Sequence, residues 1–200
     1  MILDELALDA LTEIFNLGVG QAADAFSQIA GDTVLLTVPK VRLMSHGEVE
    51  PELDARGATN VSAVRQRYSG AFNTEAVLMF PAERSLQLVQ MMVGAELPLD
   101  QLAEMEQEAL SEVGNILLNS VMASVADALK VQLDGSLPTV ENAQVGGIFK
   151  PDTQFGGSVM LVDIQFEVAS REVTGLLAFM LDVGSEDTLA QLIQRFLSQA

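Results

Sequence analysis

Glu13 and Asn16 stand three residues apart in this chain, and so do Glu112 and Asn115. Asp9 lies four residues before the first pair and Glu108 four before the second. After 22 intervening residues each asparagine is followed by a proline, Pro39 in one case and Pro138 in the other. The polar set therefore recurs at an offset of 99 residues, although most positions between its members have changed. A carboxamide donates and accepts at once, so it can hold a water in a chosen orientation. In phosphoryl transfer the protein mainly positions groups and stabilises charge, and an amide that orients the attacking water is one solution. A Glu one turn away can hold a lysine of a second protein and so fix the amide over the reacting phosphorus. The plain alternative is an exposed amphipathic helix face, where acids and amides need no special reason. Two copies in register weigh against it, and so does Asn in mid-helix, where its propensity is poor.

The elements that must carry these residues are helices. Leu3, Ala7, Leu11, Ile14 and Gly18 recur at helical spacing over residues 3–30, and Gly31 ends the run. A second helix spans roughly 101–129, with Leu110, Val113 and Leu117 as its stripe. At about 100° per residue, Asp9, Glu13 and Asn16 fall opposite the first stripe, and Glu108, Glu112 and Asn115 opposite the second. Each helix leads into a strand holding the distant proline. Pro39 inside VLLTVPKVRLM points to an edge strand or a bend. VSAVRQRYSG and NTEAVLMF read as a hairpin through Gly70, and Pro81 suits the first turn of a helix that Gly94 ends. In the second half a strand with Pro138 leads to a glycine-rich loop around Gly146 and Gly147. GSVMLVDIQFEV and TGLLAFMLDV then read as strands, and a last helix begins near Ser185. Each half is helix, three strands, helix. The expected fold is a single α/β (α+β) domain over residues 1–200, pseudo-twofold symmetric, with repeats of about 1–99 and 100–200. A mixed or antiparallel sheet is flanked by helices.

Composition narrows the function. Hydrophobic residues are 49% and charged residues 19%, which favours a packed core over disorder. The net charge of -18, with only ten Lys and Arg, speaks against nucleic acid and against a free phosphorylated metabolite. An acidic surface suits a partner that brings its own cations. With no cysteine there is no disulfide, thiol nucleophile or thiolate metal site, which fits a cytoplasmic location. MILDELALDALTEIF lacks the pattern of a signal peptide, and no unbroken apolar run reaches the roughly 18 residues of a membrane span. His46 reads as a lone surface histidine, and Glu48, Glu50, Glu52 and Asp54 as a solvated polar loop without the Ca²⁺ pattern. Gly18 and Gly20 form a GxG inside a helix rather than after a strand, so they read as packing glycines. Met91 and Met92 read as core fillers.

Taken together, the spacing of Asp9, Glu13, Asn16 and Pro39 resembles the signature of the CheC, CheX and FliY phosphatases of chemotaxis. Glu112, Asn115 and Pro138 repeat it, with Glu108 where the family has Asp or Ser. Two signatures in 200 residues fit the CheC type. The resemblance implies dephosphorylation of the phospho-aspartate of a CheY-like response regulator. It implies that Glu13 and Glu112 pair with the regulator's lysine, while Asn16 and Asn115 orient the water. It implies no cofactor of the chain's own, Mg²⁺ being carried by the phosphorylated partner, and CheD as a further partner. The competing reading is a docking module for a response regulator, CheD or a flagellar component, without turnover. Phe15 departs from the family's usual glycine beside the first Asn, and either narrows access to Asn16 or simply packs. The sites also differ beyond the Asn, with Gly18 and Gly20 in one and Leu117 and Asn119 in the other.

Overall fold

A computed structural model of the chain describes residues 3–56, 59–93, 98–149, 158–168 and 171–199. Its elements run α1 (Glu5–Ala30), β1 (Val34–Met44), α2 (His46–Ala55), β2 (Asn60–Gly70), β3 (Thr74–Pro81), α3 (Ala82–Val93) and α4 (Leu99–Leu129). They continue with β4 (Leu133–Gly135), β5 (Thr139–Gln144), α5 (Val145–Ile148), β6 (Val159–Val168), β7 (Arg171–Leu181) and α6 (Val183–Leu197). The Asp4 carboxylate starts α1 by accepting from the Ala7 N–H at 2.9 Å, and Gly31 ends it in the left-handed region at φ 67°.

One seven-stranded sheet runs in the order β1-β6-β7-β3-β2-β4, with β5 also paired to β2. Every pairing is antiparallel. Exchanging β1 with β5, β2 with β6 and β3 with β7 returns the same order read backwards, so the pseudo-twofold axis passes between β3 and β7. The axis also relates α1 to α4. These two helices pack side by side because Gly18 is bare: a Cβ there would lie 2.6 Å from the Val121 Cα. Gly20 is exposed with nothing within 4 Å, so only the first glycine of the GxG serves packing.

Both faces of the sheet are covered. Leu11 and Ile14 of α1, Leu117 and Val121 of α4, Leu88 of α3 and Ile193 of α6 share the larger core with Leu78, Phe80 and Phe166. On the opposite face Val49 and Leu53 of α2 and Ile148 of α5 pack on Val77, Met79 and Ala178. The alternation along β3 sends Leu78 and Phe80 to one core and Val77 and Met79 to the other. Met91 and Met92 are buried in the larger core, as expected. Within α4, Gln101–Leu129 is long and apolar enough, by length and composition, to cross a membrane. Its apolar residues Leu110, Val113, Leu117 and Val121 are all buried in the core.

Several details differ from the sequence reading. HGEVEPELDA is helix, not loop: Ser45 and Glu48 form a capping box, with the Glu48 carboxylate accepting the Ser45 N–H at 2.9 Å. The acidic run is therefore not simply a solvated loop. Glu52 pairs with Arg42 at 2.6 Å and Arg56 at 2.7 Å, and both arginines also reach Asp163. His46 is half-buried at the first position of α2. Gly146 and Gly147 lie in the short helix α5. Pro81 is the last residue of β3 rather than the first turn of α3. Pro138 lies in no strand, because the chain there breaks into β4 and β5. Gly94 lies outside the described residues.

Candidate functional site

Asp9 and Glu13 are exposed on α1, and Asn16 is half-buried at the margin of the apolar stripe. Glu108 and Glu112 are likewise exposed on α4, with Asn115 half-buried. The structure thus brings each predicted acid, Glu and Asn onto one helix face, but the asparagines lean toward the sheet rather than away from it. Neither Glu13 nor Glu112 carboxylate has a hydrogen-bond or ion-pair partner among the described residues. Exposed apolar side chains share these faces: Leu6 and Leu17 flank the first pair, and Met105 precedes the second.

The distant proline acts differently in the two halves. In the first, β1 is an edge strand, as Pro39 led one to expect, and its register with β6 shifts between Thr37 and Lys40. Val38 and Pro39 there face a single residue, a β-bulge that frees the Val38 backbone from the ladder. Asn16 takes it up: the Val38 N–H donates to Asn16 Oδ1 at 3.0 Å, and Asn16 Nδ2 donates to the Val38 carbonyl at 3.4 Å. In this half the 22-residue interval between Asn16 and Pro39 therefore places the residue before the proline against the amide.

In the second half the equivalent of Val38 is Leu137. Val38 is 4% exposed and Leu137 is 87% exposed, so the second site carries a free apolar side chain where the first has a core residue. Asn115 has no bond to this segment. Its Oδ1 instead accepts from Asn119 Nδ2 at 2.8 Å. Asn119 Oδ1 accepts from Gln66 Nε2 and from the Tyr68 hydroxyl, each at 3.0 Å. Gln66 Nε2 also donates to the Ser136 carbonyl at 2.7 Å. Gln66 and Tyr68 are buried on β2. Burial pushes the Tyr68 phenol well above its ordinary range, so it remains a donor. Beside this site a groove of ≈ 580 Å³ opens between Glu104, Glu108 and Ser111 of α4 and the Pro138–Val140 segment.

Phe15 does not crowd Asn16. It is buried and stacks on Phe179 with ring centroids 5.3 Å apart. Its counterpart Gly114 makes room for β2, since a Cβ would lie 2.4 Å from the Val64 Cγ1. Sequence reading missed Val38, Gln66 and Tyr68 altogether and noted Asn119 only as a difference between the halves. No group of three or more His, Asp or Glu side chains is gathered to hold a metal ion among the described residues.

The fold and site define a pseudo-twofold antiparallel sheet protein that presents a Glu–Asn pair on each of two symmetry-related helices. The CheC-like family's sequence model matches residues 6–42, the segment that carries Asp9, Glu13, Asn16 and Pro39. The chain is 27% identical over 187 residues to the CheY-P phosphatase CheC of Bacillus subtilis (strain 168), covering 88% of each. It is 26% identical over 177 residues to the flagellar motor switch phosphatase FliY of the same organism, covering 86% of this chain and 44% of that one. The crystal structure of Thermotoga maritima FliY superposes with a TM-score of 0.77 at 22% identity, covering 98% of this chain and all of that one, which shows a shared fold. The resemblance to CheC-type phosphatases is borne out by these matches.

Proposed function

We propose that this chain is a phosphatase that removes the phosphoryl group from the aspartate of a CheY-like response regulator. The observation that carries the reading is the Glu–Asn pair held twice on exposed helix faces, with both carboxylates free of protein partners among the described residues. The named activities of the CheC and FliY relatives point the same way. Glu13 and Glu112 each pair with a lysine of the regulator, a charge-assisted contact that fixes the partner. Asn16 and Asn115 each hold a water in line with the phosphorus. The water oxygen bonds to phosphorus as the bond to the aspartate oxygen breaks. The aspartate leaves as a carboxylate, phosphate keeps one water proton and the other passes to solvent. Mg²⁺ carried by the regulator would neutralise the phosphoryl oxygens, leaving this chain to supply the Glu and Asn side chains. Leu6, Leu17, Met105 and Leu137 give the docked regulator apolar contacts around each pair. The reading assigns the chain to the cytoplasm and allows CheD as a second partner.

Phosphate release from a phosphorylated CheY-like regulator tests this, with wild type, Asn16→Ala, Asn115→Ala and the double variant. Acceleration by wild type and none by the double variant is the expected result. Binding of the regulator without acceleration, across the regulators available and with CheD present, would establish the docking module instead. That alternative has one observation in its favour, the engagement of Asn16 with Val38.

A further inference from the structure

The hydrogen bonds around Asn115 have a direction that can be traced from one fixed end. A backbone carbonyl can only accept, so the Ser136 oxygen requires that the Gln66 nitrogen face it at 2.7 Å. The same nitrogen lies 3.0 Å from Asn119, whose facing atom must then be its oxygen. The Tyr68 hydroxyl, kept protonated by burial, donates to that oxygen as well. With Oδ1 so occupied, Asn119 presents Nδ2 to Asn115 at 2.8 Å, and the facing atom of Asn115 must be Oδ1. The Asn115 amino group is thereby turned outward, and it has no partner among the described residues.

We infer that Asn119, held by Gln66 and Tyr68, is a positioning residue that fixes the Asn115 amide with its N–H donors toward the docked phosphoryl group. The inference rests on the proposed phosphatase reading and extends it to the control of one site. The first site has no such relay. There the unambiguous donor is the Val38 N–H, which fixes Asn16 Oδ1 inward, and Nδ2 also gives a hydrogen to Val38. Asn16 therefore shares its donors with its own backbone, whereas Asn115 keeps both for the water and phosphoryl oxygens. Gly18 occupies the position of Leu117 and Gly20 that of Asn119 at the 99-residue offset, so a glycine stands where the relay residue would be and the relay belongs to the second half alone.

Two substitutions separate the relay from simple packing. In Asn119→Asp both oxygens accept, so Gln66 and Tyr68 remain bonded but nothing donates to Asn115 Oδ1. The Asn115 amide then turns over. In Asn119→Leu the donor is lost without added charge. Each is made in the full chain with Glu13→Ala to silence the first pair, and assayed with the phosphorylated regulator. For both, kcat is expected to fall about tenfold, the scale of one oriented hydrogen bond, with KM unchanged. The Asp variant should regain rate relative to its parent as pH falls and the new carboxyl takes a proton it can donate, while the Leu variant should not. Unchanged kcat in both variants, or a rise in KM alone, would overturn the positioning role.

A second measurement does not depend on turnover. Side-chain amide hydrogen exchange followed by NMR in the wild-type chain should show slow exchange at Gln66 Nε2 and Asn119 Nδ2 and fast exchange at Asn115 Nδ2. Protection of the Asn115 amino group would reverse the assigned direction and sink the inference, even if phosphatase activity is present. Absence of wild-type phosphatase activity would defeat the functional reading, while the exchange pattern would still decide the direction of the relay.

Discussion

Asn16 brackets the backbone of Val38, accepting its N–H at 3.0 Å and donating to its carbonyl at 3.4 Å across 22 residues of chain. A residue read as catalytic is thus also a structural clamp on an edge-strand bulge. Removing it leaves a part-buried N–H without a partner. Asn16→Ala should therefore destabilise the fold by about 1–3 kcal/mol. Asn115→Ala, which frees only an exposed side-chain bond, should stay within about 0.5 kcal/mol of wild type. Urea denaturation of the two variants checks this, and equal losses would contradict it.

The two glycines of the GxG should respond in opposite senses. Gly18→Ala forces a Cβ to within 2.6 Å of the Val121 Cα, so α1 and α4 must separate. A loss of about 1–3 kcal/mol is expected. Gly20→Ala adds a methyl to open space on an exposed helix and should stabilise by about 0.5–1 kcal/mol. Thermal unfolding of the pair reads out both signs.

Phe15 lies beside Asn16 in sequence but belongs to the core. Phe15→Ala should cost about 3–5 kcal/mol by opening a cavity against Phe179. It should leave regulator binding intact wherever the protein remains folded. Tighter binding or faster phosphate release in that variant, measured at a temperature where both proteins are folded, would show that the ring does restrict the site.

Asp182 caps α6 by accepting the Ser185 N–H at 2.6 Å, and Asn73 of the β2–β3 hairpin donates to it at 3.3 Å. Burial opposes its ionised form, but hydrogen bonds from Ser185, Asn73 and the Gly184 N–H outweigh that and hold its carboxyl below the usual value of 3.8. A carboxyl whose pKa is lower when folded adds stability above its unfolded pKa. That contribution disappears as pH falls through the folded value. Asp182→Ala should therefore cost about 1 kcal/mol near neutral pH. The gap between the two proteins should narrow below pH 3.8, where the wild-type cap takes up its proton. A gap that stays constant down to acid would show that the cap acts without its charge.

Much of the architecture is legible before any coordinates. The long helices follow from their apolar stripes, the edge position of β1 from Pro39, and the hairpin from Gly70. Helix α2 is harder to see because Gly47 and Pro51 interrupt its pattern, leaving only Ser45 and Glu48 to mark its start. The division into β4 and β5 is hidden because both short strands pair with β2, far back in sequence. The site divides in the same way. Types and spacing pick out Glu13, Asn16, Glu112 and Asn115 as a set. The groups that aim the amides lie elsewhere: Tyr68 is 51 residues from Asn119 and Gln66 is 53, and no local period connects them. The interval from Asn16 to Pro39 does encode the Val38 clamp, but its meaning depends on a strand bulge that only the sheet register reveals.

The palindromic strand order also bears on how the molecule can be divided. Among the described residues β1 of the first half pairs only with β6 of the second, and β5 of the second only with β2 of the first. Each half has lent its leading strand to the other, as subunits do in a domain-swapped pair. A fragment ending after α3 would keep the β2–β3 hairpin but leave β1 with no neighbour, its unpaired backbone ready to add to another chain. Neither half taken alone supplies a partner for its own outer strand. Because the pairings span most of the chain, the sheet can close only after both halves are made, which favours slow assembly in one late step.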